Sequence, residues 1–260
     1  IQQPDMLSLS MNLKNFIIGS SRQTTFTLKA GDKELVSQVY APDENGVMEI
    51  DIHEIVHSFL SYSLKDIGEV YQQTNLVADF TAVIDSTEIT FRVIRSGVDR
   101  LTDSPTNFLT QNFLTWQPNV KPVTYYSPEF LTYYAVVAGT VKLRAYFTDE
   151  SGTVKSQTDY TVTELMPGIA YTMPLQYSVV AGWLEHKLPA YYDVWVENTS
   201  GQRLTYIQRY YAEDMRSEQE QWILFENSLG GVDTFRAYGN TVFNGEHTHN
   251  IAEIDEFFSE

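Results

Sequence analysis

Cysteine is missing from this chain of 260 residues. Its absence excludes a disulfide framework, a cysteine-ligated zinc site and thiol catalysis together. A chain without cysteine suits assembly in a reducing cytoplasm, but secreted proteins can also lack cysteine. The absence of cysteine alone therefore does not distinguish a cytoplasmic from a secreted protein.

Positive charge is scarce as well. The chain has 17 Lys and Arg residues against 34 Asp and Glu residues, which gives a formal net charge of −17. No cluster of basic residues interrupts this acidic background, so neither a nucleic-acid backbone nor an anionic membrane is an expected partner. The plain interpretation of the acidity is solubility and low self-association.

Long apolar runs and common catalytic signatures are also missing. No apolar stretch approaches the roughly 18 residues of a membrane-spanning helix, and the N-terminus has no signal-peptide pattern. We therefore expect a soluble chain without a membrane span. The G-x-S-x-G elbow, the P-loop and the G-x-G-x-x-G fingerprint are absent, so no cofactor is expected.

Aromatic residues, in contrast, are abundant, with 17 Tyr and 14 Phe. Such residues fit a half-buried sheet surface, and alternating apolar and polar residues recur along most of the chain. The pattern predicts a mainly β protein with two tandem β-sandwich-like domains and one short amphipathic helix. That helix is predicted from Asp51 to about Ser61, with Asp51 as its N-cap.

The predicted domain organisation follows changes in composition. Residues 1–100 form an N-terminal β-domain, and residues 101–120, rich in Ser, Thr, Asn and Pro, form a linker. Residues 121–240 form a C-terminal β-sandwich domain, in which Val179 to Leu184 takes the place of the first domain's helix. Residues 241–260 are predicted to be a terminal strand or a tail.

Short segments recur between the two halves. Ser37-Gln38 matches Ser156-Gln157, and Gly97-Val98-Asp99 matches Gly231-Val232-Asp233. The two offsets differ, so a duplication would require an insertion in the second half, for which the acidic stretch Glu213 to Glu220 is suited. Chance similarity between two sheets of related pattern explains the matches equally well.

The strongest catalytic pattern is His53-Glu54-Ile55-Val56-His57, which satisfies H-E-x-x-H on the predicted helix. In zinc peptidases two histidines at this spacing share a helix face, bind the metal and place the Glu beside a water. The flanking residues supply no third His, and Glu69 and Asp79 are the acids nearby. A plain amphipathic helix with the histidines beside its buried stripe explains the pattern better, so no metal site is predicted here.

Two further patterns suggest metal binding at first sight. His247 and His249 would lie on the same side of a strand, but two ligands do not make a site. Asp43 to Gly46 and Asp149 to Gly152 collect oxygen ligands without the spacing of a calcium loop. We interpret the first pair as part of a polar terminal strand and the two acidic stretches as turns between strands.

Tyrosine doublets and tryptophans are the candidate binding residues. In a strand, a doublet sends one ring to each face, so one ring of each pair is expected on an outer surface. Exposed aromatic rings suit protein interfaces and also stacking against sugars. The candidate interface or glycan-binding aromatics are Trp116, Tyr125, Tyr126, Tyr133, Tyr134, Trp183, Tyr191, Trp195 and Trp222.

Three segments resemble a known family. Phe225 to Phe235 reads FENSLGGVDTF, Phe108 to Pro118 reads FLTQNFLTWQP, and Pro128 to Ala135 reads PEFLTYYA. Together they resemble uncharacterised tail-associated structural proteins of phages and prophages from Bacteroidetes-type bacteria, over residues 108 to 240. A shorter echo of the first segment, FRVIRSGVD, runs from Phe91 to Asp99.

This resemblance implies a non-enzymatic structural protein of a virion or phage-tail-like particle, assembled in the bacterial cytoplasm, with other protein subunits as partners. It provides no catalytic residues. The matching residues are expected to shape a turn, with the side chains of Leu229 and Phe235 facing the core. These structural-turn residues are Asn227, Leu229, Gly230, Gly231, Asp233 and Phe235. The alternatives are a carbohydrate-binding or adhesin-like module of a bacterial surface and, more remotely, a zinc peptidase.

Overall fold

Strands dominate the structure, a computed structural model that describes residues 1–65, 68–213 and 220–239. The first unit contains β1 (Leu7–Leu9), β2 (Phe16–Gly19), β3 (Thr24–Ala30), β4 (Lys33–Tyr40), β5 (Val47–Ile50), α1 (His53–Phe59), β6 (Tyr71–Gln72), β7 (Val77–Ile84) and β8 (Thr87–Ile94). A 3-10 turn at Ser10–Asn12 follows β1.

A connecting segment with α2 (Pro105–Gln111) leads into the second unit. This unit contains β9 (Val120–Val123), β10 (Phe130–Tyr134), β11 (Gly139–Thr148), β12 (Val154–Leu165), β13 (Ala170–Pro174), α3 (Tyr177–Trp183), β14 (Tyr191–Asn198) and β15 (Gln208–Ala212). The strands β16 (Glu220–Glu226) and β17 (Val232–Tyr238) then pair as a two-stranded ribbon. The prediction of a mainly β, β-sandwich-like fold is confirmed.

The two units share one strand order. In the first, a five-stranded sheet has the order β4-β3-β7-β8-β1, and in the second the order is β12-β11-β14-β15-β9. In both sheets the first strand of the unit pairs in parallel with the last, and the other pairs are antiparallel. The second layers correspond too, since β2 and β5 occupy the chain positions that β10 and β13 occupy in the second unit.

Each five-stranded sheet covers a core that its second layer closes. In the first unit, Phe26, Phe80 and Phe91 of the large sheet pack against Phe16, Ile50 and Val56 of the second layer and α1. In the second unit, Leu143, Tyr192 and Tyr210 pack against Tyr133, Met173 and Val180. The alternation along these strands is what places one apolar face inward.

Besides the connecting segment, strand pairing and side-chain contacts join the two units. The strand β6 of the first unit pairs with β13, which makes the second layer of the second unit three-stranded. Beside it, the hydroxyls of Thr132 and Thr172 lie 2.9 Å apart, and the hydroxyl of Tyr62 lies 3.2 Å from that of Thr172. A third apolar cluster, including Leu9, Leu76, Leu114 and Leu229, packs in the same region.

The helices differ from the prediction in number and in detail. Three α-helices are present in the described residues where one was predicted. The first begins at His53 with Ile52 as its N-cap, because the Asp51 carboxylate accepts the His53 N–H at 2.9 Å from outside the helix. The segment 101–120 contains α2, whose N-cap Ser104 accepts the Asn107 N–H at 3.2 Å, and it buries Leu109 and Leu114 completely.

Candidate functional site

The turn between β16 and β17 is organised by one amide side chain. The Asn227 Oδ1 accepts the N–H groups of Leu229 at 2.9 Å and of Gly231 at 3.2 Å. Its Nδ2 donates to the Leu114 carbonyl at 3.1 Å, so the same side chain ties the turn to the connecting segment. An asparagine in a tight turn commonly plays this role, because its side chain can replace a backbone group.

The two glycines of the turn allow close approach of backbone to backbone. Gly230 has a φ of +92°, and a Cβ at this position would overlap the Arg95 carbonyl oxygen. A Cβ at Gly231 would overlap the Leu114 carbonyl oxygen. The Gly97 N–H donates to the Ser228 carbonyl at 2.7 Å, so the turn and its echo FRVIRSGVD are in direct contact.

Asp233 and Trp116 complete this junction between units. The buried Asp233 carboxylate accepts the Thr115 hydroxyl at 2.5 Å and the Trp116 N–H at 3.1 Å. The Trp116 indole N–H donates to the Ser228 hydroxyl at 2.9 Å while its ring is 60% exposed. The Asp233 carboxylate and the Trp116 indole therefore connect the turn to the segment before β9 through hydrogen bonds.

One residue of the predicted turn set is placed differently from its prediction. Leu229 is buried as expected, but Phe235 is 58% exposed. Phe235 pairs with Ile223 across the ribbon, and Ile223 and Phe225 are exposed as well. The ribbon has two faces. In the described part of the chain, no layer covers the face that carries Ile223, Phe225 and Phe235.

The histidines of the H-E-x-x-H pattern lie next to each other on α1, with their ring centres 5.8 Å apart. The His57 Nδ1 lies 2.9 Å from the Ser10 hydroxyl, and partial burial together with Arg95 lowers the pKa of His57. Asp79, the acid considered as a third ligand, binds Arg92 through two hydrogen bonds of 2.7 and 2.6 Å. Within residues 1–65, 68–213 and 220–239, no three His or acidic residues converge as metal ligands. His247 and His249 lie outside the described residues.

We expect purified protein to carry zinc well below one equivalent, because His53 and His57 lack a converging third ligand in the described chain. Inductively coupled plasma mass spectrometry after dialysis without chelator measures this directly. The His57→Ala variant is the control, since it removes one of the two imidazoles. One zinc per chain in the native protein, lost in this variant, would contradict the expectation.

The tyrosine doublet of β10 does not expose a ring. Tyr133 is 1% exposed and Tyr134 is 2% exposed, because β10 lies in a sheet covered on both faces. Tyr133 points into the core of the second unit, and Tyr134 points into the cluster between the units. The expectation of one outward ring is therefore wrong at this doublet.

Most of the remaining candidate aromatics lie on two surfaces. Tyr125 and Tyr126, exposed by 44% and 75%, contact each other edge to face at 4.9 Å. They line a cleft of about 480 Å³ together with Tyr177, Leu188 and Trp222. Trp183 lies apart from this cleft and stacks on Tyr160 at 5.4 Å.

Tyr191 and Trp195 belong to the second surface, the outer face of the sheet β12-β11-β14-β15-β9. A row of alternating charge crosses four of its strands, because the register places Asp159, Arg144, Asp193 and Arg209 side by side. Arg144 binds Asp159 at 2.5 and 2.8 Å, and Arg209 binds Asp193 at 2.6 and 2.7 Å. We call this the charged row.

Aromatic rings flank the charged row on both sides. Tyr146 and Tyr191 stack at 4.5 Å, and the Arg209 guanidinium lies 4.5 Å from the centre of the Tyr191 ring. On the other side, the Arg144 guanidinium lies 5.7 Å from the Trp195 ring. Each arginine is thus held by a carboxylate and a ring, an arrangement that keeps a flat surface rigid. The hydrogen bonds from Arg144 also lower the pKa of Asp159.

A buried ion pair lies where the second unit meets the ribbon. Lys121 Nζ donates to Glu129 Oε2 at 2.8 Å, to Gln117 Oε1 at 2.9 Å and to the Thr234 carbonyl at 2.9 Å. Glu129 is 1% exposed, and burial raises the pKa of its carboxyl to about 7 against the opposing effect of Lys121. The pair connects β9, the segment before β10 and β17.

The outer face contains residues that the sequence analysis did not select, namely Arg144, Tyr146, Asp193, Arg209 and Tyr211. A signal for them existed in the sequence. Lys142, Arg144 and Tyr146 alternate with buried residues in β11, as Tyr191, Asp193 and Trp195 do in β14. The alternation gives the outward side of each strand, whereas the charged row depends on the register between strands.

Among the described residues, none of the helices has the length and apolar character that a membrane crossing requires.

No family model and no curated protein sequence matches the chain. Among solved structures, a 1.5-MDa bacterial ice-binding adhesin is 11% identical, with 84% of this chain and 65% of that chain covered, at a TM-score of 0.19. Trypsin-activated alpha-2-macroglobulin from Escherichia coli is 10% identical, with 82% of this chain and 16% of that chain covered, also at 0.19. This chain thus spans less than two thirds of either, and similarities at that TM-score carry no argument about function.

Proposed function

We propose that this protein is a non-enzymatic assembly component of a phage-tail-like or prophage-derived particle, which acts through contacts with other protein subunits. The observation that carries the proposal is the outer face of the sheet β12-β11-β14-β15-β9. Its surface is built from Tyr, Trp and Arg side chains, the residue types most enriched at the centres of protein interfaces.

The rigidity of this face supports the same function. Arg209 is fixed between the Asp193 carboxylate and the rings of Tyr191 and Tyr146. A partner that docks on such a surface orders few additional side chains, so less conformational entropy opposes binding. The resemblance of residues 108 to 240 to tail-associated proteins supports a tail-like particle, and the outer face is the proposed contact surface within it.

We expect the protein to copurify with tail-like particles from the bacterium that encodes it. In the double variant Trp195→Ser and Tyr211→Ser, incorporation should fall at least about tenfold, since interface hot-spot residues are worth about 2 kcal/mol or more. Quantitative mass spectrometry of purified particles measures the ratio to other particle proteins. Tyr126→Ser, an exposed tyrosine away from the outer face, is the matched control. Absence of the native protein from the particles would refute the proposal.

The cleft at Tyr125 and Tyr126 favours a second candidate function, glycan binding at a bacterial surface. It combines exposed tyrosine rings, on which sugars can stack, with the carboxylates of Glu213 and Glu220, both of which also bind Arg236. A glycan-array signal that is lost in Tyr126→Ser, from a protein that does not enter particles, would favour this function over assembly.

A further inference from the structure

The strand β12 has one unpaired edge over its whole length in the described residues. It pairs with β11 alone and forms the end of its five-stranded sheet. The strand is twelve residues long. Its first six residues, 154–159, are exposed, which means that both faces of the strand contact solvent there.

Natural proteins usually protect such an edge, because its free N–H and C=O groups pair readily with another strand. Register irregularities do occur in the β11–β12 pair, at Val141/Lys142 and at Phe147/Thr148. Between them, residues 156–161 run in regular register with β11. The regular, exposed stretch therefore offers a straight edge in the middle of the strand.

The sequence from Val154 to Tyr160, which begins two residues before the regular stretch, is complementary to itself. In an antiparallel pairing of two β12 strands centred on Gln157, Lys155 of one copy lies opposite Asp159 of the other, and this happens twice by symmetry. Within its own chain Lys155 binds Asp149 at 2.8 Å and Asp159 binds Arg144, so the pairing adds a second partner to each charge. The same register places Val154 opposite Tyr160. Opposite charges and aromatic–β-branched pairs are both favourable across antiparallel strands.

The equivalent strand of the first unit lacks this property. β4 is also the end strand of a five-stranded sheet, and Ser37-Gln38 lies in it as Ser156-Gln157 lies in β12. A pairing of two β4 strands centred on Gln38 would place Val36 opposite Tyr40 without any opposite charges. The first unit thus provides a control edge with the same position in the fold.

We propose that two copies of this chain associate by antiparallel pairing of their β12 edges, with Gln157 at the twofold axis. The two five-stranded sheets then form one continuous ten-stranded sheet, and the outer faces of both copies lie side by side. A twofold interface of this kind closes on itself and yields a dimer. The inference deepens the proposed assembly function by naming one partner, a second copy of the chain.

Cysteine crosslinking tests the register directly, because the native chain contains no cysteine. Residues directly opposite in antiparallel strands have Cβ atoms about 4.5–5.5 Å apart, close to disulfide geometry. Mild oxidation of Gln157→Cys should therefore give a covalent dimer as the main product at micromolar concentration. Gln38→Cys, an exposed glutamine on the control edge, should give at least about tenfold less at the same concentration. Equal crosslinking of the two variants would overturn the proposal.

Charge reversal provides a second measurement. Lys155→Asp places two acids opposite each other twice in the dimer, so the dimer dissociation constant should rise about tenfold or more. Lys187→Asp changes the net charge equally, but Lys187 lies outside β12, and it should leave the constant within about twofold. Sedimentation velocity over a concentration series gives both values, and circular dichroism confirms that each variant is folded. A native protein that stays monomeric throughout would overturn the pairing.

Failure of this inference is distinguishable from failure of the proposed function. A monomeric protein that still enters particles through its outer face would refute edge pairing alone. A dimer crosslinked at position 157 that never enters particles would refute the particle assignment alone.

Discussion

Replacing Gly230 by alanine should lower the free energy of unfolding by about 3–5 kcal/mol. Two costs add at this position. A φ of +92° is strained for any residue with a Cβ, at about 1–3 kcal/mol, and the new Cβ overlaps the Arg95 carbonyl oxygen, which costs about 1–3 kcal/mol more. Urea denaturation monitored by tryptophan fluorescence measures the change.

Two other glycines separate these costs. Gly231 has no positive φ, but its Cβ would overlap the Leu114 carbonyl oxygen, so Gly231→Ala should show the overlap alone, about 1–3 kcal/mol. Gly201 has a φ of +80° with no atom within 4 Å of its Cβ position, so Gly201→Ala should show the strain alone, about 1 kcal/mol. If the Gly230→Ala variant is as stable as Gly201→Ala, or more stable, the turn does not hold the units together.

The sequence was informative where structure is local. The hairpin of β3 and β4 joins two runs that alternate in the sequence, and it turns at Gly31, which has a positive φ. The acidic stretch at Asp149 is a turn, since its carboxylate accepts the N–H groups of Ser151 and Thr153 at 3.0 and 2.9 Å. Interactions between residues a few positions apart are visible in a sequence because the spacing itself specifies them.

Pairings between distant segments were not predictable in the same way. The contact of the turn at Asn227 with Arg95 and Leu114 depends on how the two units meet. The charged row requires four strands in one register, and single-strand alternation does not contain that information. The helix α2 had a signal in Ser104-Pro105, an N-cap followed by proline at the first turn, but the polar composition of its segment indicated a linker instead.

Alternation alone did not predict the burial of Tyr134 or the exposure of Phe235. Tyr134 is buried because its sheet is covered on both sides, and Phe235 is exposed because its ribbon is covered on one side only in the described residues. Alternation in a strand states which residues share a face. It does not state how many layers the fold places against that face.

Replacing Lys121 by methionine should lower the free energy of unfolding by about 3 kcal/mol at pH 8, because a buried carboxylate then loses its partner. At pH 5 the loss should be clearly smaller. The pKa of Glu129 is about 7 in the folded protein against an ordinary 4.5, so at pH 5 this side chain is protonated and carries no charge to compensate. Urea denaturation at both pH values measures the difference, and Lys14→Met, which removes an exposed ion pair with Asp5, should change stability by at most about 1 kcal/mol at either pH.

The sign of the pH dependence follows from the raised pKa. Because folded Glu129 binds its proton more tightly than the unfolded chain does, its stabilising contribution is complete below about pH 4.5 and is lost as the pH rises through about 7. Glu129→Gln removes the titrating group, so the stability of this variant should vary less between pH 5 and pH 8 than that of the native protein. Without Lys121 the folded pKa should rise further, which extends the decline to higher pH. An equal loss for Lys121→Met at pH 5 and pH 8 would mean that the packing of the lysine side chain, and not its charge, connects β9 to β17.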